Sequence, residues 1–304
     1  MRITTILGLL TLAALVGCGA KPKPAADDYY KEATAAFGEK NYDVAISRYK
    51  ELLDQYPFSD HAEEVELRIA ESYYRNKKYP EAIAAFNDFQ RMHPMSPKLA
   101  KVYYLLGKSY MEQMTTIDRD QTAAESAHAW FQVVIERYPE TRWARKARRH
   151  RAQCRESLAM HELYITSFYL RRKNLPAAEN RAKGILQNYP ETQTATRALE
   201  QLATAYEQAG DVEHARMARA ALDERTAAFA GMTPESLSAG TVPAVTTPST
   251  DTLIADLDLR YGPSDVPLNA PGAPTLVDPV ASSGGGNPND PRLGPTRGNE
   301  SSPF

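Results

Sequence analysis

Cysteine is nearly absent. Cys18 and Cys154 are the only two in 304 residues, so no disulfide framework and no four-cysteine zinc site can hold this chain together. An excess of charge of one sign is also missing: 36 Lys and Arg stand against 38 Asp and Glu, a net charge of −2. Proteins that bind nucleic acid usually carry a basic excess to neutralise phosphates, so no nucleic-acid partner is expected. No Gly-x-Ser-x-Gly elbow, phosphate-binding loop or Cys-x-x-Cys pair occurs, and His61-Ala-Glu-Glu-Val lacks the second histidine of a zinc-protease helix. An enzyme reading therefore has no residues to stand on, and no catalytic residue, metal or cofactor is expected. Apolar runs long enough to cross a bilayer are lacking too. The run from Ile3 to Val16 is shorter than the ~20 residues a spanning helix needs.

That short run has a different reading. Following Met1-Arg2 and ending at Leu15-Val16-Gly17-Cys18, it has the form of a signal peptide over 1–17, and the last four residues match the lipobox of bacterial lipoproteins. The small residues admit the peptidase, and the Cys18 thiol receives the lipid. Acyl chains contribute about 0.8 kcal/mol per buried methylene, so a multiply acylated Cys18 is a membrane anchor without a transmembrane helix. Residues 18–26 then serve as a lipidated tether. Gly19 rather than Asp after the cysteine, by resemblance to Gram-negative lipoproteins, favours the outer membrane.

Proline is unevenly spread. Twelve of the 21 prolines and nine of the 16 glycines fall in residues 231–304, a composition with too little apolar surface to offset chain entropy. This stretch is expected to be a disordered tail dispensable for the fold. Within it, Asp251 to Tyr261 is an apolar island, either a docking motif that folds on contact or a chance run.

The body, 27–230, repeats itself. Four 13-residue segments end alike: Ala45 to Pro57, Ala82 to Pro94, Ala127 to Pro139 and Ala178 to Pro190. Upstream of each lies a small residue with a second residue, usually aromatic, three positions on: Ala33/Ala36, Ala70/Tyr73, Gly107/Tyr110, Thr166/Tyr169, and again Ala203/Tyr206 in a fifth copy with Gly210-Asp211 at its turn. Small residue, aromatic, then Ala, aromatic, apolar and Pro is the tetratricopeptide pattern. It predicts an all-α solenoid of about five helical hairpins, with Ser59, Ser96, Thr141 and Thr192 as helix N-caps. Two departures stand out: eight extra residues around Thr115 to Thr122, and a long fourth-repeat helix with an apolar stripe through Trp143, Ala147, His150, Cys154, Leu158, His161, Ile165 and Phe168.

A lipobox, a tether, five such repeats with Tyr-Pro-x-Ser/Thr loops, Asp118-Arg119-Asp120-Gln121 inserted in the third and a long helix in the fourth together resemble the BamD (YfiO) family of outer-membrane protein assembly factors. The resemblance covers about 18–229. It implies a non-enzymatic scaffold of the β-barrel assembly (Bam) complex on the periplasmic face of the outer membrane. Its C-terminal repeats would dock on the periplasmic domain of BamA, beside other Bam lipoproteins, and its N-terminal repeats would contact unfolded barrel precursors. The 231–304 tail lies outside the family pattern. Two other readings remain, a pilotin-like lipoprotein that escorts a secretin and a structural cell-envelope protein related to the cell-division coordinator CpoB.

Candidate sites are few. Tyr30, Phe37, Leu67, Tyr74, Tyr104 and Met111 occupy the two positions per repeat that face the concave surface, which suggests a groove for an extended, aromatic-containing peptide. The competing reading is that a tight superhelix buries them. Arg142, Arg145, Lys146, Arg148, Arg149, Arg151 and Arg155 fall within 142–155, either a solvated helix face or a surface for anionic lipid or an acidic partner. Cys154, on the apolar stripe, reads as a buried structural thiol.

Overall fold

A computed structural model describes residues 24–230 and 247–262. The regular structure of the described residues is all helical: α1 (Ala26–Gly38), α2 (Tyr42–Gln55), α3 (Ala62–Arg75), α4 (Tyr79–Met92), α5 (Leu99–Met111), α6 (Thr122–Arg137), α7 (Arg142–Arg171), α8 (Leu175–Asn188), α9 (Gln193–Ala209), α10 (Val212–Ala230) and α11 (Pro248–Tyr261). The chain divides into two compact units, one ending at Asn76 and one beginning at Lys77. No described helix is long and apolar enough to cross a membrane. Cys18 and the signal-peptide stretch lie outside the described residues.

The repeat arithmetic becomes packing at the small residues. Ala33, Ala70, Thr166 and Ala203 are fully buried, as are Ala45, Ala82, Ala127 and Ala178 on the second helices. Gly107 shows why size matters there: a Cβ added to it would stand 2.7 Å from the ring of Phe131 on α6. Large partners fill the space the small ones leave, with Tyr49, Phe86, Phe131 and Tyr206 buried. Three of the hairpin turns pass through a left-handed lysine, Lys40, Lys77 and Lys173, and the last through Gly210. The third-repeat turn is instead the insertion, which folds on its own polar groups. Asp120 accepts from the Thr122 amide at 3.1 Å, and the Gln121 side chain donates to the carbonyls of Arg119 (2.9 Å) and Thr116 (3.2 Å).

Two of the four expected caps form. Thr141 and Thr192 each accept the backbone N–H three residues on, at 3.2 Å. Ser59 and Ser96 do not cap: α3 and α5 begin at Ala62 and Leu99, where the N-cap residues are His61 and Lys98. Each serine instead closes a preceding turn with its carbonyl, taking the Ala62 amide at 2.9 Å and the Leu99 amide at 3.2 Å. Four residues separate proline from helix in these two loops, against two before α7 and α9, and only there, with the Thr extended, does the hydroxyl reach the first turn.

The tail expectation needs correction at one place. Residues 248–261, inside the stretch read as disordered and dispensable, form α11, packed on α10 and α8 with Leu253 and Leu257 fully buried in the core of the C-terminal repeats. The apolar island is therefore a docking helix whose partner is the chain itself. Its start is capped by Thr247 on the Thr250 amide at 3.3 Å. Its end satisfies two buried charges of α8: Lys183, fully buried, pairs with Asp258 at 3.2 Å and donates to the Gly262 carbonyl, while Tyr261 donates to Glu179, which is 2% exposed. Composition averaged over 74 residues hid a 14-residue segment with enough apolar surface to fold. The remaining tail residues lie outside the described ones.

If α11 is part of the fold, Leu257→Ala should lower the free energy of unfolding by about 2–4 kcal/mol, whereas Leu259→Ala, at an 89% exposed position of the same helix, should change it by less than about 0.5 kcal/mol. Urea unfolding followed by circular dichroism reads both.

Candidate functional site

The six residues expected to line a peptide groove divide evenly. Phe37, Leu67 and Tyr104 are buried at 9%, 2% and 8% exposure, while Tyr30, Tyr74 and Met111 are half-buried. In the first unit the guanidinium groups of Arg68 and Arg75 stand over the Phe37 ring, at 5.0 and 4.8 Å, and Tyr42 meets it in a T-shaped contact. Tyr30 stacks on the His61 ring with centroids 4.3 Å apart. In the second unit Tyr104 packs against Phe131 and Trp143 and donates its hydroxyl to His150 Nε2 at 3.1 Å. Phe37 and Tyr104 thus pack against side chains of neighbouring helices, and Leu67 is buried as well.

The apolar stripe of α7 works in the same way. Cys154 is fully buried and its thiol is pushed up to about 12 by desolvation, the state of an inert core sulfur. His150 Nδ1 stands 3.0 Å from the Gln153 side-chain oxygen. With Nδ1 donating there and Nε2 accepting from Tyr104, the ring is neutral, in keeping with a pKa lowered by burial. His161 donates from Nδ1 to the Ile117 carbonyl at 2.6 Å, tying α7 to the inserted turn. Long helix and insertion, separate features of the sequence, are thus one packing unit.

The Arg-rich run also divides. Arg142, Arg145, Lys146 and Arg149 are exposed, and the first and third of these flank the Trp143 ring at 4.5 and 5.2 Å. Arg155 is committed to packing: it pairs with Glu191, donates to the Asn188 carbonyl at 2.5 Å and covers the Tyr189 ring at 5.1 Å. Arg151 donates to Gln132 at 2.6 Å. Among the described residues no group of three or more His, Cys, Asp or Glu could hold a metal ion.

Sequence reasoning missed the buried ions of the fourth and fifth repeats. Lys183 and Glu179 were overlooked, as was Arg225, fully buried on α10, which donates to the Thr192 carbonyl at 2.8 Å and to Thr196 at 2.9 Å. A signal was present for Glu179: the matching position holds Ile46 and Ile83 in the first two repeats, so a carboxylate in that column required a buried partner. Nothing local marked Lys183 or Arg225, whose partners lie 79 and 33 residues away.

Comparison with known proteins decides which array of helical hairpins this is. The family model described as YfiO, outer membrane lipoprotein, matches residues 22–222. The chain belongs to this family. Its relatives include the outer membrane protein assembly factor BamD of Vibrio cholerae, 32% identical over 224 residues that cover 69% of this chain and 93% of the relative. The BamD proteins of Xylella fastidiosa (strain 9a5c) and Caulobacter vibrioides are each 29% identical, over 70% of this chain and 79% and 72% of their own lengths. The YfiO match stops at residue 222, so α11 lies outside the matched residues.

One titrating group of the α6–α7 packing gives a test. Burial, with Arg155 and Arg151 nearby, lowers the His128 pKa from 6.5 to about 4. As pH falls from 6.5 toward 4 the unfolded chain takes up a proton that the folded chain refuses, so stability is full above the unfolded value and declines through that window by on the order of 2–3 kcal/mol. Unfolding free energies measured near neutral pH and again about two units lower should differ less in His128→Gln than in the wild type. Equal pH dependence in the two proteins would place the proton uptake elsewhere.

Proposed function

We propose that this chain is a lipid-anchored scaffold of outer-membrane β-barrel assembly, held at the periplasmic face by Cys18, binding BamA through its C-terminal repeats and unfolded barrel precursors through its N-terminal repeats. The observation that carries the reading is the YfiO match over 22–222 with relatives called outer membrane protein assembly factor BamD. Hairpin repeats suit the task, since they present successive short helices whose exposed positions vary without disturbing the buried small residues.

Precursor binding is assigned to the half-exposed Tyr30 and Tyr74 in the first unit and Met111 in the second. The aromatic rings offer apolar area and edge or face contacts to an incoming side chain at little cost in conformational entropy. Phe37, Leu67 and Tyr104 serve the reading only indirectly, by fixing the helices that carry the others. The exposed cations Arg142, Arg145, Lys146 and Arg149 remain a solvated face in this account.

Affinity purification of the tagged full chain from its own membranes in mild detergent tests the proposal. BamA should co-purify, together with other Bam lipoproteins. Recovery of a secretin or of muropeptides in place of BamA would overturn the assignment in favour of an escort or an envelope linker.

A further inference from the structure

The loop between α2 and α3 carries a side chain that the fold does not require. Phe58 is 98% exposed. At the corresponding place after proline the later loops hold Met95, Glu140 and Glu191, so the repeat folds equally well with a carboxylate there and packing does not explain a phenyl ring. Pro57 precedes it and restricts the backbone.

Where the N-terminal segment leaves the first unit gives the ring a partner. The Tyr56 hydroxyl donates to the Pro24 carbonyl at 2.9 Å, and His61 pairs with Asp27 at 2.8 Å, so the chain departs toward its N-terminus against the loop that bears Phe58. Between Pro24 and Cys18 lie six steps of chain, which span at most roughly 20 Å fully extended. We infer that Phe58 inserts into the leaflet that holds the acyl chains of Cys18, a second contact that fixes how the first hairpin stands on the membrane. This rests on the reading of Cys18 as the lipidated residue.

The chemistry of the surroundings selects the lipid. Asp27 and Asp60 line the same depression as Phe58. Carboxylates beside the ring repel anionic headgroups, so the partner is a zwitterionic phospholipid surface, entered by an aromatic ring at the headgroup boundary and not held by charge. A single acylated terminus leaves the domain free to swivel about its tether, and one inserted ring removes much of that freedom.

The test uses the full lipidated chain carrying Phe58→Trp, reconstituted in phosphatidylcholine–phosphatidylethanolamine vesicles. The emission of Trp130 and Trp143 is subtracted using the wild type. Flotation shows whether the chain is anchored. A floating protein whose added indole emission shifts to the blue and is quenched by lipids brominated near the headgroup supports the inference. A floating protein whose added emission stays that of a water-exposed indole, unquenched, overturns it while leaving the anchor intact. Failure to float removes the lipidated Cys18 and the insertion together.

Discussion

The structure depends on how closely the two helices of each hairpin approach. That distance is set by side chains of minimal size facing large ones, as where Gly107 meets the ring of Phe131. At such separation a methyl group is a steric event and not a small addition, because packed interiors have no spare volume to absorb it. Every other feature follows from keeping this contact in register. The left-handed turns at Lys40, Lys77 and Lys173 reverse the chain in the fewest residues, and the closing prolines stop the second helices before they overrun.

The C-terminal end solves a problem that stacked repeats always have, an apolar last face with no neighbour. Here α11 covers it. Its leucines bury apolar area, and its polar end supplies a carboxylate and carbonyl to Lys183 and a hydroxyl to Glu179. Burying such ions is costly without partners, so the last repeats and α11 are specified together: remove one and the other is left with unpaired charge.

How much of this was legible follows from the range of each interaction. The hairpins were readable because small residue, aromatic and proline recur at short spacing and act within one or two helices. Thr141 and Thr192 were readable as caps for the same reason, while Ser59 and Ser96 failed because the cap depends on whether the loop is extended at that residue. The burial of Phe37, Leu67 and Tyr104 was not legible, since position in the repeat does not say how near the next helix stands. The docking of α11 was beyond local reasoning, since a Pro- and Gly-rich average says nothing of a segment whose partners lie 79 and 82 residues upstream.

The close-approach constraint is tested most directly by one methyl group. Gly107→Ala should lower the free energy of unfolding by about 1–3 kcal/mol, the cost of overpacking a filled interface, despite the better helix propensity of alanine. Chemical denaturation of wild type and variant side by side gives the answer. A variant as stable as the wild type, or more stable, would contradict the account, because the hairpin would then tolerate a wider approach than the one on which the repeat is built.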